Sequence, residues 1–307
     1  MARVIVTGGA GFVGSHVAEA FLDRGDEVLV VDDLSTGIRE NVPDRAAFVE
    51  ADVSDAEVLE EALGADADLV CHLAAQASVT VSVRDRILDC TSNVLGTMNV
   101  CEAARKRGAP VVFASTGGAL YGDEAPRPTP EDFAPQPLSP YGASKLAGEA
   151  YVATWARLHG TPNVVLRLGN VYGPRQSPHG EAGVVAIFSG RLLAGEAPEL
   201  RGDGTPTRDY VHVADVARSF VAATEAGRAG TYNVGTGIET STARVLEILQ
   251  SAVGTSLEPA RVELNAGELA ASMLDPSRIE RDLGWRATID VETGLRQTLD
   301  WYRHVRG

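Results

Sequence analysis

The stretch Val4-Ile5-Val6-Thr7-Gly8-Gly9-Ala10-Gly11-Phe12-Val13-Gly14-Ser15-His16 constrains this chain more than any other. A short apolar run stops at a glycine cluster, and a helical pattern begins inside that cluster. The spacing Gly9-x-Gly11-x-x-Gly14, overlapped by Gly8-x-x-Gly11-x-x-Gly14, gains its force from this strand-to-helix setting. Glycines there let the backbone turn tightly and approach a pyrophosphate, whose charge then sits at the positive end of the helix, with Phe12 and Val13 in its first turn. The next apolar run ends in Val31-Asp32-Asp33. A carboxylate at Asp32 accepts hydrogen bonds from ribose hydroxyls and repels a 2′-phosphate, which favours NAD over NADP. Asp33 reads as a turn former, and Leu34, Ser35, Thr36 and Gly37 continue a loop around the adenosine. Asp52 and Val53 are candidates to touch adenine; a plain loop acid is the alternative for Asp52.

Residues 3–7, 28–32, 69–73, 110–115 and 163–168 are apolar runs with little alternation, as strands buried on both faces read. Helical patterns lie between them at 12–24, from about Ser54, over 88–107 and over 141–159. Ser54 and Glu57 have capping-box spacing. The alternation predicts an α/β fold, a Rossmann-type doubly wound parallel sheet. Beyond residue 169 glycine and proline cluster in GNVYGPRQSPHGEAG, a candidate cleft. Later patterns predict helices near 183–194, 242–252 and 291–304, with strands at 208–213 and 231–234. The expected division is a dinucleotide domain over 1–168 and a smaller C-terminal α/β substrate domain over 169–307, with segments near 208–235 packing back onto the first.

A formal charge of −15 argues against a nucleic-acid surface, which needs concentrated Lys and Arg. Cys71, Cys90 and Cys101 are odd in number and form no C-x-x-C pair, which points to a reduced, cytoplasmic setting. No apolar stretch is long enough to suggest a leader or a membrane span. Neither a metal site nor a membrane partner is expected.

Two further segments carry chemistry. Ser115-Thr116-Gly117-Gly118 follows an apolar run, and Ser139-Pro140-Tyr141-Gly142-Ala143-Ser144-Lys145 reads as a helix start, with Ser139 as N-cap and Pro140 at the first helical position. Tyr141 and Lys145 then share one helix face. A tyrosine with an ordinary pKa of about 10 is a poor base at neutral pH. A neighbouring ammonium, a cationic nicotinamide and the positive helix end each favour its phenolate. Thr116, with Ser115 in reserve, supplies a hydroxyl to position the substrate oxygen, and the chemistry is that of alcohol oxidation.

Taken together, TGGAGFVGSH, DDLSTG, HLAAQASV, NVLGT, STGGALYG, SPYGASK, GNVYGPRQ, EAGVVAIF, RDYVHVADV and NVGTG resemble the extended short-chain dehydrogenase/reductase family, and within it the UDP-glucose 4-epimerase branch of nucleotide-sugar enzymes. The resemblance implies a tightly held NAD that is recycled, and a nucleotide-sugar substrate, by default the UDP-glucose/UDP-galactose pair. UDP-hexuronates or UDP-N-acetylhexosamines are the alternatives. It implies that Tyr141 removes the sugar 4-hydroxyl proton, and that Lys145 holds the nicotinamide ribose and tunes Tyr141. Leu73, Ala74, Ala75, Gln76 and Ser115 would line the cofactor path, with Asn93 in support. Asn170 and Arg208 would contact the diphosphate region, while Val184 and Val185 approach the nucleotide. An Arg208–Asp209 salt bridge is the alternative for Arg208. His72 and His212 are expected to be structural. A homodimer through the helices near 88–107 and 141–159 is implied as well.

Two departures stand out. Relatives that eliminate water carry Asp-Glu after the catalytic Thr, whereas this chain has Gly117-Gly118, which leaves room beside the sugar and offers no acid. Where relatives read Arg-Pro-Gly-Asp or Arg-Pro-Gly-Glu, this chain reads Asn265-Ala266-Gly267-Glu268. The lost arginine removes a charge-assisted contact worth about 1.5–3 kcal/mol. Arg201 and Arg175 are the candidates to replace it.

Overall fold

The computed structural model describes residues 1–64, 66–178, 183–263 and 269–306. The first half alternates strand and helix: β1 (Arg3–Thr7), α1 (Phe12–Arg24), β2 (Glu27–Asp32), β3 (Ala47–Glu50), α2 (Ala56–Leu63) and β4 (Leu69–His72). Two short helices, α3 (Val79–Arg84) and α4 (Arg86–Cys90), lead through a π-turn at Thr91–Leu95 into α5 (Gly96–Arg107). Then come β5 (Val111–Thr116), α6 (Pro140–His159) and β6 (Val164–Leu168). The remainder comprises β7 (Asn170–Tyr172), α7 (Val184–Leu193), β8 (Glu199–Arg201), β9 (Thr207–His212), α8 (Val213–Glu225), β10 (Gly230–Val234), β11 (Glu239–Ser241), α9 (Thr242–Val253), β12 (Ala260–Val262), α10 (Ser277–Leu283) and α11 (Val291–Arg306).

The main sheet has seven strands in the order β10-β6-β5-β4-β1-β2-β3, and each of its pairings is parallel. In β1 the side chains divide between the two faces. Val4 and Val6 enter a core with α1 and α8, including Val17, Phe21 and Phe220, while Ile5 enters the opposite core with Leu59, Val100 and Val152. This is why the central strands read as unbroken apolar runs. Each fully buried Val, Ile or Phe contributes about 1.5–3 kcal/mol. The Rossmann-type doubly wound sheet is the one expected.

A third core, built from Phe188, Leu192, Val245, Leu249, Leu295 and Leu299, joins α7, α9 and α11 to Tyr172 and Tyr210. The chain does not stay on this side once it arrives. β10 returns to the edge of the main sheet beside β6, and α8 packs against α1.

Several local expectations need correction. The cap of α2 is Asp55, whose carboxylate accepts from Glu57 and Val58 N–H at 3.1 Å each, and not Ser54. The helix expected over 88–107 is a composite of α4, the π-turn and α5. Within the widened turn Asn93 meets the loop after β4 and the start of α6, and Thr97, just past it, meets His72 of β4. α8 begins with His212, whose Nδ1 accepts from Ala214 N–H at 3.3 Å.

Candidate active site

The strand order reverses direction on either side of β1, and ligands of such sheets settle at the carboxyl ends of the strands beside that reversal. The glycine turn lies there. Gly8 has φ +72°, and a Cβ on it would stand 2.5 Å from the backbone nitrogen of Ala74. A Cβ on Gly14 would collide with the carbonyl oxygen of Gly8. These glycines bring β1, the start of α1 and the end of β4 to backbone contact. α1 has Gly11 as its N-cap with no side-chain hydrogen bond and no acid in its first turn. No side chain of its own first turn competes with an anion for its terminal N–H groups.

Asp32 ends β2 and is buried. Its Oδ2 accepts from Ala10 N–H and its Oδ1 from Leu34 N–H, both at 2.9 Å. Burial raises its pKa, and the two N–H groups and neighbouring Asp33 act on it more weakly. Gly37 is required beside it, because a Cβ there would lie 2.5 Å from Asp32 Oδ1. The loop then closes on the glycine turn through Ile38 N–H to Ala10 O at 3.0 Å. Asp33 accepts from Ser35 N–H and Oγ, the turn role read from sequence. Ser35 and Thr36 are exposed. Asp52 is exposed and accepts from Ser54 N–H at 2.8 Å, which makes it a turn acid, while Val53 is buried against Gly96.

Past β4, Leu73 N–H donates to Thr7 O at 3.0 Å, and Gln76 N–H donates to Asn93 Oδ1 at 2.8 Å. Leu73, Ala74, Ala75 and Gln76 are half-buried, and the backbone of Leu73 and Ala74 lies against Gly8. His72 ties the layers together. Thr97 Oγ1 donates to Asn93 O at 2.6 Å, so it accepts from His72 Nε2–H at 3.0 Å, and His72 Nδ1 accepts from Thr7 Oγ1 at 2.7 Å. Burial, followed by the charge of Lys145, lowers the His72 pKa to about 3 and keeps it neutral.

Thr116 ends β5, and Tyr141 and Lys145 lie in the first turns of α6. Ser139 caps that helix, its Oγ accepting from Gly142 N–H at 3.2 Å. Gly142 lets it approach the β5 loop, since a Cβ there would meet Ala119 O. Thr116 Oγ1 accepts from Ala119 N–H at 3.2 Å, and its hydroxyl lies close enough to Tyr141 to favour the phenolate. Burial pushes the Tyr141 phenol up to about 12 against the pull of Thr116, and the charge of Asp89 adds to the rise. Lys145 is buried, donates to Ala114 O at 3.0 Å and lies over the Phe113 ring; burial brings its pKa down to about 8. One of the three donors of the ammonium is thus held by a strand carbonyl.

Ser115 is not a reserve hydroxyl. Its Oγ donates to Glu149, which is buried and held by Arg167 through Nη2–Oε2 at 2.7 Å, beneath the reacting groups. Ser115 thus serves the ion pair midway along α6, while Thr116, the last residue of β5, is left for Tyr141 at the start of the same helix. The glycine pair also has a different meaning from the one expected. The space a Gly117 Cβ would take is filled by Leu274, at 2.5 Å, and Gly118 faces Asn170 Oδ1 at 3.4 Å. The space beside Gly117 belongs to Leu274.

The diphosphate candidates separate. Asn170 opens β7 beside Gly118, and so reaches the Thr116 loop. Arg208 is half-buried on β9 and donates to Thr207 O at 2.8 Å. Asp209 is not its ion-pair partner. The Asp209 carboxylate accepts from Thr236 N–H and Oγ, Gly237 N–H and Leu274 N–H, stitching three segments together. Val185 is buried in the third core, while Val184 packs against that core and stays half-buried at the start of α7. Arg175 is committed to α1, donating to Ser15 Oγ at 3.2 Å and Glu19 at 2.6 Å, and does not replace the missing arginine. Arg201 is exposed at the end of β8, in register with Val262. Asn265 and Glu268 lie outside the described residues. The chain re-emerges beside the Arg208 strand, where Thr207 N–H donates to Ala270 O at 3.0 Å.

Among the described residues no group of His, Cys, Asp or Glu is arranged to hold a metal, and no helix is long and apolar enough to cross a membrane. A dinucleotide cradle beside a hydroxyl–tyrosine–lysine cluster defines an oxidoreductive class of enzyme. Residues 4–235 match the NAD dependent epimerase/dehydratase family. A UDP-glucose 4-epimerase of Mycolicibacterium smegmatis is 43% identical over 98% of this chain and 99% of its own length. The structure of a Thermotoga maritima UDP-glucose 4-epimerase with UDP-glucose has TM-score 0.97 at 42% identity, covering 99% of this chain and 100% of that one. A Thermus thermophilus UDP-glucose 4-epimerase in complex with NAD has TM-score 0.91 at 46% identity, covering 98% and 99%. The chain belongs to the NAD-dependent epimerase/dehydratase family.

Proposed function

We propose that this chain is an NAD-dependent nucleotide-sugar 4-epimerase that interconverts UDP-glucose and UDP-galactose. The observation that carries the reading is the placement of Thr116 at the end of β5 with Tyr141 in the first turn of α6 and Lys145 one helical turn on, in the same sheet as the glycine cradle. Gly8, Gly11 and Gly14 shape the pyrophosphate seat, Asp32 receives the adenosine ribose, and the 73–76 segment with Asn93 flanks the nicotinamide half. NAD, when bound, would supply a reversible hydride acceptor and a positive charge close to the tyrosine. Thr116 holds the sugar 4-hydroxyl and Tyr141 takes its proton. Since burial holds this phenol near 12, an efficient base needs the added positive charge. Lys145 anchors the ribose. Gly117 and Gly118 provide no acid or base for elimination, so the chemistry stops at reversible oxidation of one carbinol. Asn170, Arg208, Arg201 and the start of α7 bind the diphosphate side, with Asn265 and Glu268 completing it.

The three cysteines are free, in keeping with a reducing, cytoplasmic setting. Val83, Ile87, Leu88 and Leu95 are exposed along α3, α4 and the π-turn, and Leu158 on α6, which supports a homodimer through these helices. Light scattering that gives a monomer mass at micromolar concentration would count against it.

The deciding experiment incubates the purified protein with radiolabelled UDP-galactose and no added NAD. UDP-glucose should form without net NADH, and Tyr141→Phe should lower turnover by about 10²–10⁴-fold while leaving the fold intact. NADH accumulating in step with product would sink the epimerase reading.

A further inference from the structure

Asp89 is 1% exposed, yet it has no ion-pair partner among the described residues. Taking a carboxylate out of water is costly unless hydrogen bonds and nearby charge compensate. Two amides provide the hydrogen bonds: Gln76 Nε2 donates at 2.9 Å and Asn93 Nδ2 at 3.1 Å. Both amides lead onward. Gln76 brackets the loop after β4, donating to Ser78 O at 2.9 Å and accepting from Ser78 N–H at 2.5 Å. Asn93 Nδ2 also faces Gln76 O at 2.9 Å and Ser144 Oγ at 3.0 Å, and Ser144 Oγ donates to Tyr141 O at 3.0 Å. Asp89 lies in α4 and Asn93 sits inside the π-turn. Widened turns of this kind recur at functional sites because they re-aim side chains.

We propose that Asp89 is a positioning residue for the Tyr141–Lys145 pair, clamping Gln76 and Asn93 to the start of α6 and placing one buried negative charge behind the reacting groups. The inference rests on Tyr141 being the base. The charged and titratable groups that face this pair are Asp89 from α4, Glu149 from α6 and His72 from β4, the last held neutral. Arg84, Asp85 and Arg86, on the same short helices, are exposed. The Asp89 carboxylate favours the Lys145 ammonium and opposes the Tyr141 phenolate. Its removal lets Tyr141 ionise at lower pH and lets Lys145 lose its proton more readily, so both limbs of a pH–rate profile move down together.

The test titrates tyrosinate absorbance in the holoenzyme for wild type, Asp89→Asn, Asp89→Ser and Asp89→Glu, each with and without Tyr141→Phe to isolate the Tyr141 signal. The pH dependence of turnover with UDP-galactose is measured alongside. Asp89→Asn should lower the Tyr141 midpoint by about one pH unit, and Asp89→Glu should restore it. A folded Asp89→Asn with an unchanged midpoint overturns the proposal. So does equal loss in the Asn and Glu variants, or failure of both neutral variants to fold, since each marks a purely structural role. The absorbance titration needs no turnover, so it stands whether or not the epimerase reading survives.

Discussion

Two glycine-rich turns leave neighbouring parts of the main sheet, and they use their missing side chains differently. In the turn after β1, the space is taken by backbone: Ala74 N against Gly8 and the Gly8 carbonyl against Gly14. In the turn after β5, it is taken by side chains, Leu274 against Gly117 and Asn170 against Gly118. Backbone cannot move aside without breaking the sheet, so the first turn has one workable residue type at each contact. A side chain can retreat, so the second turn is specified jointly with distant residues. The first turn is a property of the chain's local sequence, and the second is a property of the assembled fold.

The largest expected effect tests the rigid side of this contrast. Gly14→Ala should cost about 1–3 kcal/mol through overpacking, measured by urea melts, and should abolish retention of NAD on gel filtration. Wild-type retention in a stable variant would show that the turn can yield. The adaptable side predicts a different pattern. Gly117→Ala should cost about 1–3 kcal/mol in wild type, yet less than about 0.5 kcal/mol in a Leu274→Ala background, where the clashing methyls are gone. Additive losses would mean that backbone, and not Leu274, resists the new Cβ. Gly118→Ala, with only ordinary contact to Asn170, should stay within about 0.5 kcal/mol and serves as the mild end of the series.

The same division governs what could be read in advance. β1, β2, β4, β5 and β6 were legible because burial on both faces leaves an unbroken apolar signature. β3 escaped notice because it is an edge strand whose residues are only half-buried or exposed. The three-residue strands β7, β8, β11 and β12 exist only through their pairings. α8 carries its start signal on His212, outside the usual capping residues. In the candidate site, Thr116, Tyr141 and Lys145 were identifiable from strand-end and helix-start chemistry. Asp89 was not, since an acid in a helical pattern reads as a solvated face until its burial is seen.

Sequence by itself determined the doubly wound sheet, the glycine cradle, Asp32 at the end of β2 and the tyrosine–lysine spacing, because each follows from local periodicity, turn chemistry or position on one helix. Tertiary structure alone decided the rest. It gave Ser115 to the Glu149–Arg167 pair, committed Arg175 to α1, filled the Gly117 space with Leu274 and buried Asp89 behind the reacting pair. These depend on which groups meet across the fold, and local pattern carries no information about a neighbour from a distant segment.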